Sequence, residues 1–412
     1  MSALLAACSA GPPANGSASD TSVQSAEAAE TPANCTPLET RAPNGADQRP
    51  ARPGQTRTCG IKSSVALDVT VVAKGLVNPW AVEPLPGGDL LVTEKPGRLR
   101  IISASGNTGE PIAGLPAVDA RGQGGLLDVA LSPAFASDRT IYWSFSEARQ
   151  GGNGTSIARG VLSADRTRLD QVQVIFRVLP TYNGTMHYGS RLAFGPDGML
   201  YAGFGERSDR SMRRYAQQLD SHLGKTVRIR PDGSAPPDNP FVGQAGALPE
   251  IWSLGHRNIQ AAAFDSDGRF WDVEHGPRGG DELNLAEKGK NYGWPVVAYG
   301  IEYSGSPIPG AVTQRAGFEQ PVYYWDPVIA PSGAQFYSGD AFPEWRGNLF
   351  VGSLVQKRLV RLTLANNRVT GEEHLLIDRD KRVRDVRQGP DGFLYVVTDE
   401  KNGELWRVAP RR

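Results

Sequence analysis

Cysteine, methionine and histidine are scarce, at 3, 4 and 5 among 412 residues. No Cys-x-x-Cys and no His-rich tract occurs, so zinc or haem would lack its usual ligands. An excess of either charge is missing too. Lys plus Arg number 44 and Asp plus Glu 44, which gives no electrostatic basis for binding a nucleic acid or an anionic membrane surface. No run approaches the ~20 apolar residues of a membrane-spanning helix, so multi-span classes are excluded. Room for long helices is also short: Gly (48) and Pro (31) supply roughly a fifth of the chain, against about 12 % in ordinary usage. The chain has abundant core material, with 39 % hydrophobic residues including 8 Trp, 12 Tyr and 13 Phe. The length suits one large β-barrel or propeller domain as well as two or three average ones.

The N-terminus divides into three zones. Residues 1–8 end in Leu4-Leu5-Ala6-Ala7-Cys8, which resembles a lipoprotein signal but is truncated, without a basic n-region and with a short apolar stretch. Residues 9–60 form a low-complexity linker rich in Ser, Ala, Pro, Gly, Asn and Thr, expected to be a disordered tether. Residues 61–412 carry the folded domain. An exported chain, periplasmic or anchored to a membrane through lipidated Cys8, is the expected setting; a plain tail in which Cys8 does nothing is the alternative. Cys35 and Cys59 are expected to pair, since two thiols in an exported chain are more often bridged than free.

From Val65 onward one phrase recurs six times: a Gly/Asp/Pro turn followed by a short apolar run. Clear copies are Pro86 to Glu94, Gly195 to Tyr201, Asp265 to Trp271 and Gly389 to Tyr395; looser ones run from Ser132 to Trp143 and from Pro343 to Val351. Asp-Gly and Gly-Asn accept positive φ cheaply and suit hairpins. A spacing of roughly 45 to 80 residues fits blades of four strands. These observations predict an all-β, six-bladed β-propeller. A sandwich would explain the turns but not six copies of one phrase.

Four polar clusters interrupt the repeat. Gly122-Gln123-Gly124-Gly125 frees the backbone around Gln123 for a ligand, or makes a blade turn. His187, followed downstream by Gly205-Glu206-Arg207, has the pKa range of a base for an alcohol proton; Glu206 would orient it, or solvate a loop. Gly255-His256-Arg257-Asn258, Glu274 to Glu282 and Lys290 to Pro295 are the densest. Arg257 and Asn258 offer a cation and an amide, and Gly276-Pro277 carbonyls with a carboxylate such as Glu282 are hard oxygen donors suited to calcium; a polar loop network is the other reading. Alternation puts Arg382 and Arg384 on one side of a strand, as a receptor for carboxylates or as a solvated edge.

Together and in this order, these phrases resemble the pyrroloquinoline quinone dependent sugar dehydrogenases of the glucose/sorbosone dehydrogenase family, in its soluble aldose sugar dehydrogenase branch, over about Val65 to Val408. The resemblance implies a six-bladed propeller with the quinone over the channel mouth, and oxidation of aldoses to lactones. His187 then matches the base that removes the anomeric hydroxyl proton while hydride passes to the quinone. Gln123, Arg257, Asn258, Tyr303, Ser353, Leu354, Arg382 and Arg384 match cofactor contacts. The Gly276 and Pro277 carbonyls match ligands of the calcium that polarises the quinone, and Glu282 and Tyr292 a further calcium position. Trp325 matches an aromatic bordering the sugar, with Glu206 placed on the substrate side. The partners implied are an aldose and an electron acceptor that no motif specifies, with the protein a monomer or weak dimer.

One departure stands out. Ser353-Leu354-Val355 occupies the place of a Ser/Ala-Leu-Lys phrase, so the lysine that contacts the quinone is missing; Lys357, with the same strand parity, is the expected substitute. A catalytically silent binding propeller on a lipid anchor is the competing function. A propeller lactonase ranks last, because only Asp281 and Glu282 approach an acidic metal cluster.

Overall fold

The computed structural model describes residues 35–411. Six antiparallel sheets surround a central channel, and their innermost strands are Pro79–Pro84, Leu126–Leu131, Arg191–Phe194, Ile259–Phe264, Pro331–Phe336 and Val383–Gln388. Each of these strands packs against the next, and the sixth against the first. The predicted six-bladed all-β propeller is therefore the observed fold. Blade 1 has three strands and the other five have four.

Every one of the six repeated turn phrases joins the innermost strand of a blade to the second. Gly195 N–H, for instance, donates to Met199 O, and Gly389 N–H to Phe393 O, closing the turns around Pro-Asp-Gly. The apolar run that follows each turn is a second strand. In blades 1 and 6 these are Leu90–Glu94 and Leu394–Thr398, buried along their whole length. Both faces of such a strand meet neighbouring blades, which is why it reads as a continuous apolar run rather than an alternation. Blade 6 takes its outermost strand from the start of the domain, Leu67–Leu76, paired antiparallel with Gly403–Pro410.

The expected linker 9–60 needs correction. Its first part, with Cys8 and the signal-like residues 1–8, lies outside the described residues. Residues 35–60 are packed on blades 4 and 5, and Cys35 and Cys59 form the expected disulfide. Gln55 is fully buried there and donates to Pro321 O at 2.9 Å. The segment reads as disordered because it is poor in apolar residues; side-chain to backbone hydrogen bonds hold it instead. Among the described residues no helix is long and apolar enough to cross a membrane.

All six innermost strands run in the same direction along the channel. Their first residues and the loops before them therefore meet at one mouth, and the repeated turns ring the other.

Candidate active site

At the first mouth lies a cavity of about 340 Å³, to which every blade contributes: Trp80, Leu127, Gly189, Gln260, Ala330 and Arg382 are representative lining residues. Of the residues expected from sequence, Gln123, Leu354, Arg382 and Arg384 line it. The strand alternation does put Arg382 and Arg384 side by side, and both fork onto Asp399. Arg382 Nη2 lies 2.6 Å from Oδ2 and Arg384 Nη2 2.8 Å from Oδ1. Burial opposes ionisation of Asp399, but the two guanidiniums outweigh it and hold the carboxyl at about 2. The trio keeps one net positive charge facing the cavity.

The missing lysine is not replaced from Lys357, which turns out to pair with Asp380 at 3.1 Å and does not line the cavity. Instead Lys95, at the end of blade 1's second strand, lines it, with Nζ donating to Gly122 O at 2.8 Å. Burial and then Arg384 lower its proton affinity. Val355 lines the same cavity as an exposed apolar side chain.

His187 is 3 % exposed and sits in the left-handed region at φ 49°. Its backbone N–H donates to Gln123 Oε1 at 2.8 Å, and its Nδ1 lies 3.2 Å from Glu206 Oε2. Glu206, fully buried, also accepts from Ser208 N. Among the described residues no protein group bonds to His187 Nε2. Burial lowers the pKa of His187 from its ordinary value, with Arg257 and Arg207 adding to the shift against the pull of Glu206. The imidazole is thus neutral near pH 7, and with Nδ1–H held by Glu206 its lone pair is on Nε2. Glu206 is thus paired with the Nδ1 side of the histidine, and it does not line the 340 Å³ cavity.

The loops of blade 4 form the adjoining wall. Arg257 Nη1 donates to the carbonyls of His275 (2.9 Å) and Gly276 (2.6 Å), and Nη2 lies 3.4 Å from the Tyr303 hydroxyl, which is largely exposed. Asn258 Oδ1 accepts from Gly189 N–H at 3.1 Å, and its Nδ2 lies 3.4 Å from His275 Nδ1. Glu274 fixes this backbone by accepting from Arg257 N–H and Asn258 N–H, while its other oxygen meets His256 Nδ1 at 3.0 Å. His256 thus serves the site from one layer below. His275, which the sequence did not single out, lines the cavity; burial drives its pKa down to about 3, and its Nε2–H donates to Pro331 O at 2.7 Å.

All four expected metal residues come together. Gly276, Pro277, Glu282 and Tyr292, with Arg257, line a second, much smaller cavity of about 10 Å³ that shares His275 with the first. This is close to the least space that holds one water-sized sphere. Gly276 N–H is tied to Asp281 Oδ1 at 2.8 Å, and Asp281 Oδ2 accepts from Ile329 and Ala330 N–H. Burial first, and the neighbouring Glu274 carboxylate second, push the Glu282 carboxyl far above its ordinary pKa. The Tyr292 hydroxyl is committed to Leu285 O and Glu287 N–H, so only its carbonyl is available as a ligand. Carbonyls and one carboxyl whose ionisation a bound cation would favour make an all-oxygen donor set that fits a hard cation.

Two other expectations change. Ser353 Oγ is buried and donates to Ile329 O at 2.7 Å, a structural bond at the end of its strand. Trp325 does not border the mouth. It lies on the outermost strand of blade 4, Tyr323–Trp325, 5 % exposed and packed against Tyr323 and Ile329.

The profile of Glucose / Sorbosone dehydrogenase matches residues 76–407. Aldose sugar dehydrogenase YliI of Escherichia coli is 45 % identical over 349 residues, covering 84 % of this chain and 93 % of its own. A crystal structure of a glucose dehydrogenase superposes with a TM-score of 0.81 at 48 % identity, over 84 % of this chain and all of that one. The PQQ-bound form of an aldose sugar dehydrogenase from Streptomyces coelicolor superposes with a TM-score of 0.68 at 32 % identity, over 84 % and 99 %. With its propeller and nearly all of its folded length shared with these proteins, the chain belongs to the glucose/sorbosone dehydrogenase family.

Proposed function

We propose that this protein oxidises aldose sugars at the anomeric carbon to lactones, with pyrroloquinoline quinone and calcium as cofactors. One observation carries the reading above the others: a neutral, buried His187 held by Glu206, with an unpartnered Nε2, beside a cavity walled by Arg382, Arg384 and Lys95. A silent binding propeller has no need of a base oriented in this way.

Arg382, Arg384 and Lys95 would bind the carboxylates of the quinone, and Lys95 supplies the ammonium group that Val355 does not. Arg384 and Trp80 are already in register, the guanidinium carbon 5.9 Å from the ring centroid. The Pro277 carbonyl and Glu282 would hold calcium, with Gly276 sharing its carbonyl between metal and Arg257 and with Tyr292 offering its own carbonyl. Bound there, the quinone supplies the hydride acceptor and the calcium its electrophilic activation. His187 Nε2 takes the sugar hydroxyl proton, and the Glu206 carboxylate stabilises the imidazolium that results.

The Cys35–Cys59 disulfide supports an exported, oxidising location, and lipidation of Cys8 would add an anchor. The test is reconstitution. Apo-protein given quinone and calcium should reduce a dye with a panel of aldoses, and lose that activity when calcium is exhaustively chelated. Undiminished activity after chelation would remove the metal from Gly276, Pro277 and Glu282, and no activity with any aldose would favour the binding propeller.

A further inference from the structure

The segment 35–60 lies ahead of the family match at 76–407; it packs on the outer strands of blades 4 and 5 and also bonds to the loops at Arg278 and Gly300, next to the candidate site. Its ends are fixed by the Cys35–Cys59 disulfide and by bonding to the outer strand of blade 5, where Ile61 N–H donates to Glu372 O and Glu372 N–H to Cys59 O, each at 2.9 Å. Between those ends Arg52, Gln55 and Arg57 bond to the stretch 320–326, and three further grips reach positions next to the site loops. The Asn44 and Gly45 backbone N–H groups and the Asn44 side-chain amide all donate to the Asp326 carboxylate, at 2.8, 2.9 and 2.9 Å. The Gln48 side chain pairs with the backbone of Gly300 in both directions, at 2.8 and 2.7 Å. Asn44 Oδ1 accepts from Arg278 Nε at 3.0 Å.

The three gripped positions are neighbours of the site. Arg278 follows Pro277, and Gly300 lies three residues before Tyr303. Arg278 and Ile301 exchange both backbone hydrogen bonds, at 3.0 and 2.9 Å, and Gly280 N–H donates to Trp325 O beside Asp326 at 2.9 Å. Gly279 sits so near Asp326 that a Cβ there would collide with its carboxylate, and Gly279 takes the left-handed φ of 89° that the approach requires. The loops 276–280 and 299–303 and the corner at Asp326 are therefore cross-bonded to one another and covered by one segment.

We infer that residues 35–60 are a strap that fixes these loops in their ligand-ready shape, with Asn44, Gln48 and Asp326 as positioning residues. That the ligands are calcium and quinone rests on the function proposed above. Ordering the loops before binding removes an entropy loss that would otherwise be charged to affinity.

Two variants of the full chain test it: Asn44→Ala with Gln48→Ala, which removes the side-chain bonds to Asp326, Arg278 and Gly300 while leaving the two backbone N–H bonds to Asp326, and Cys35→Ser with Cys59→Ser, which frees the ends. Backbone hydrogen exchange of the apo-protein is measured in 276–282 and 299–303, with the blade 2 strands at 140–162 as an internal reference. Exchange in the two loops should rise at least tenfold in the grip variant and stay constant in the reference. Quinone titrated in calcium should bind about tenfold more weakly, the equivalent of roughly one hydrogen bond's net contribution, with turnover at saturation changed less than about twofold because no reacting group is altered. Unchanged exchange in both loops in both variants overturns the strap, as does raised exchange with wild-type quinone affinity. If a double variant fails to fold, Gln48→Ala alone carries the same measurements. Raised loop exchange in a protein whose wild type neither binds quinone nor oxidises an aldose leaves the strap standing and discards the cofactor reading.

Discussion

The channel has two mouths, and the larger one is the less interesting. Opposite the 340 Å³ cavity lies one of about 670 Å³, lined by the ends of the innermost strands and by turn residues such as Pro86, Gly389 and Pro390. Its one guanidinium, Arg387, is already spent: it lies 3.2 Å from Asp385 and 3.5 Å from Glu83. Above it Arg191 bridges Asp128 and Asp385 at 3.0 and 3.1 Å, closing the channel with buried, mutually compensated charge. At the other mouth, among the described residues, two arginines share one carboxylate, a lysine is bonded only to a carbonyl, and a histidine nitrogen has no partner. Volume does not distinguish a site from a vestibule here; unspent polar capacity does. The sequence has the same asymmetry, because the repeated phrases build the larger mouth and the departures from the repeat build the smaller.

If that contrast is functional, substitutions at the two mouths should separate catalysis from stability. The largest effect is expected from His187→Ala, which should lower turnover by roughly 10²- to 10⁴-fold, the range for loss of a general base, with quinone binding retained; wild-type turnover would remove His187 from the reaction. Next, Arg382→Ala with Arg384→Ala should weaken quinone binding by about a hundredfold or more, since each charge-assisted bond contributes roughly 1.5 to 3 kcal/mol and Asp399 is left behind as a repelling anion. Fluorescence titration of the apo-protein would show this, and unaltered affinity would place the cofactor elsewhere. Glu206→Gln should cost about tenfold in turnover through a less stabilised imidazolium. The sign of its pH effect is fixed: Glu206 raises the pKa of His187 against burial, so its loss lowers that pKa further. The acid limb of kcat/KM, expected below the ~6.5 of free imidazole, should then move to lower pH, and a move to higher pH would break the pairing. The smallest catalytic effect belongs to the larger mouth. Arg387→Met should leave quinone affinity within about twofold yet destabilise the fold by roughly 3 kcal/mol, because it strands buried carboxylates; calorimetry beside the same titration separates the two.

The fold was legible because a propeller writes the same turn chemistry once per blade, and each of the six phrases sits between the first and second strands. His187, Gln123, Arg382, Arg384 and the Gly276 to Glu282 loop were legible as polar departures from that rhythm. Trp80, Lys95 and Asp399 were not. Each lies in or beside an ordinary apolar strand, and only ring closure brings blades 1 and 6 together around one cavity. Trp325 and Ser353 misled for a related reason, since residue type and neighbouring motif say nothing of distance from the channel axis. Residues 35–60 misled because composition measures the apolar surface a segment can bury, not the backbone partners that its Asn, Gln and Arg side chains will find.

The pairing of Leu67 with Pro410 joins positions roughly 340 residues apart. Closing a loop of that length instead of one blade's worth costs only about 1.5 kcal/mol more in chain entropy, so the clasp is thermodynamically inexpensive. Kinetically it is the last contact available to a chain made from its N-terminus, because the strand Gly403–Pro410 is synthesised after everything it must seal. Until then blade 6 lacks two of its four strands and Leu67–Leu76 is an unpaired edge, the surface on which a β-rich chain is most open to pairing with a stranger. The arrival of this one strand thus decides whether five finished blades become a closed ring or an open, adhesive arc.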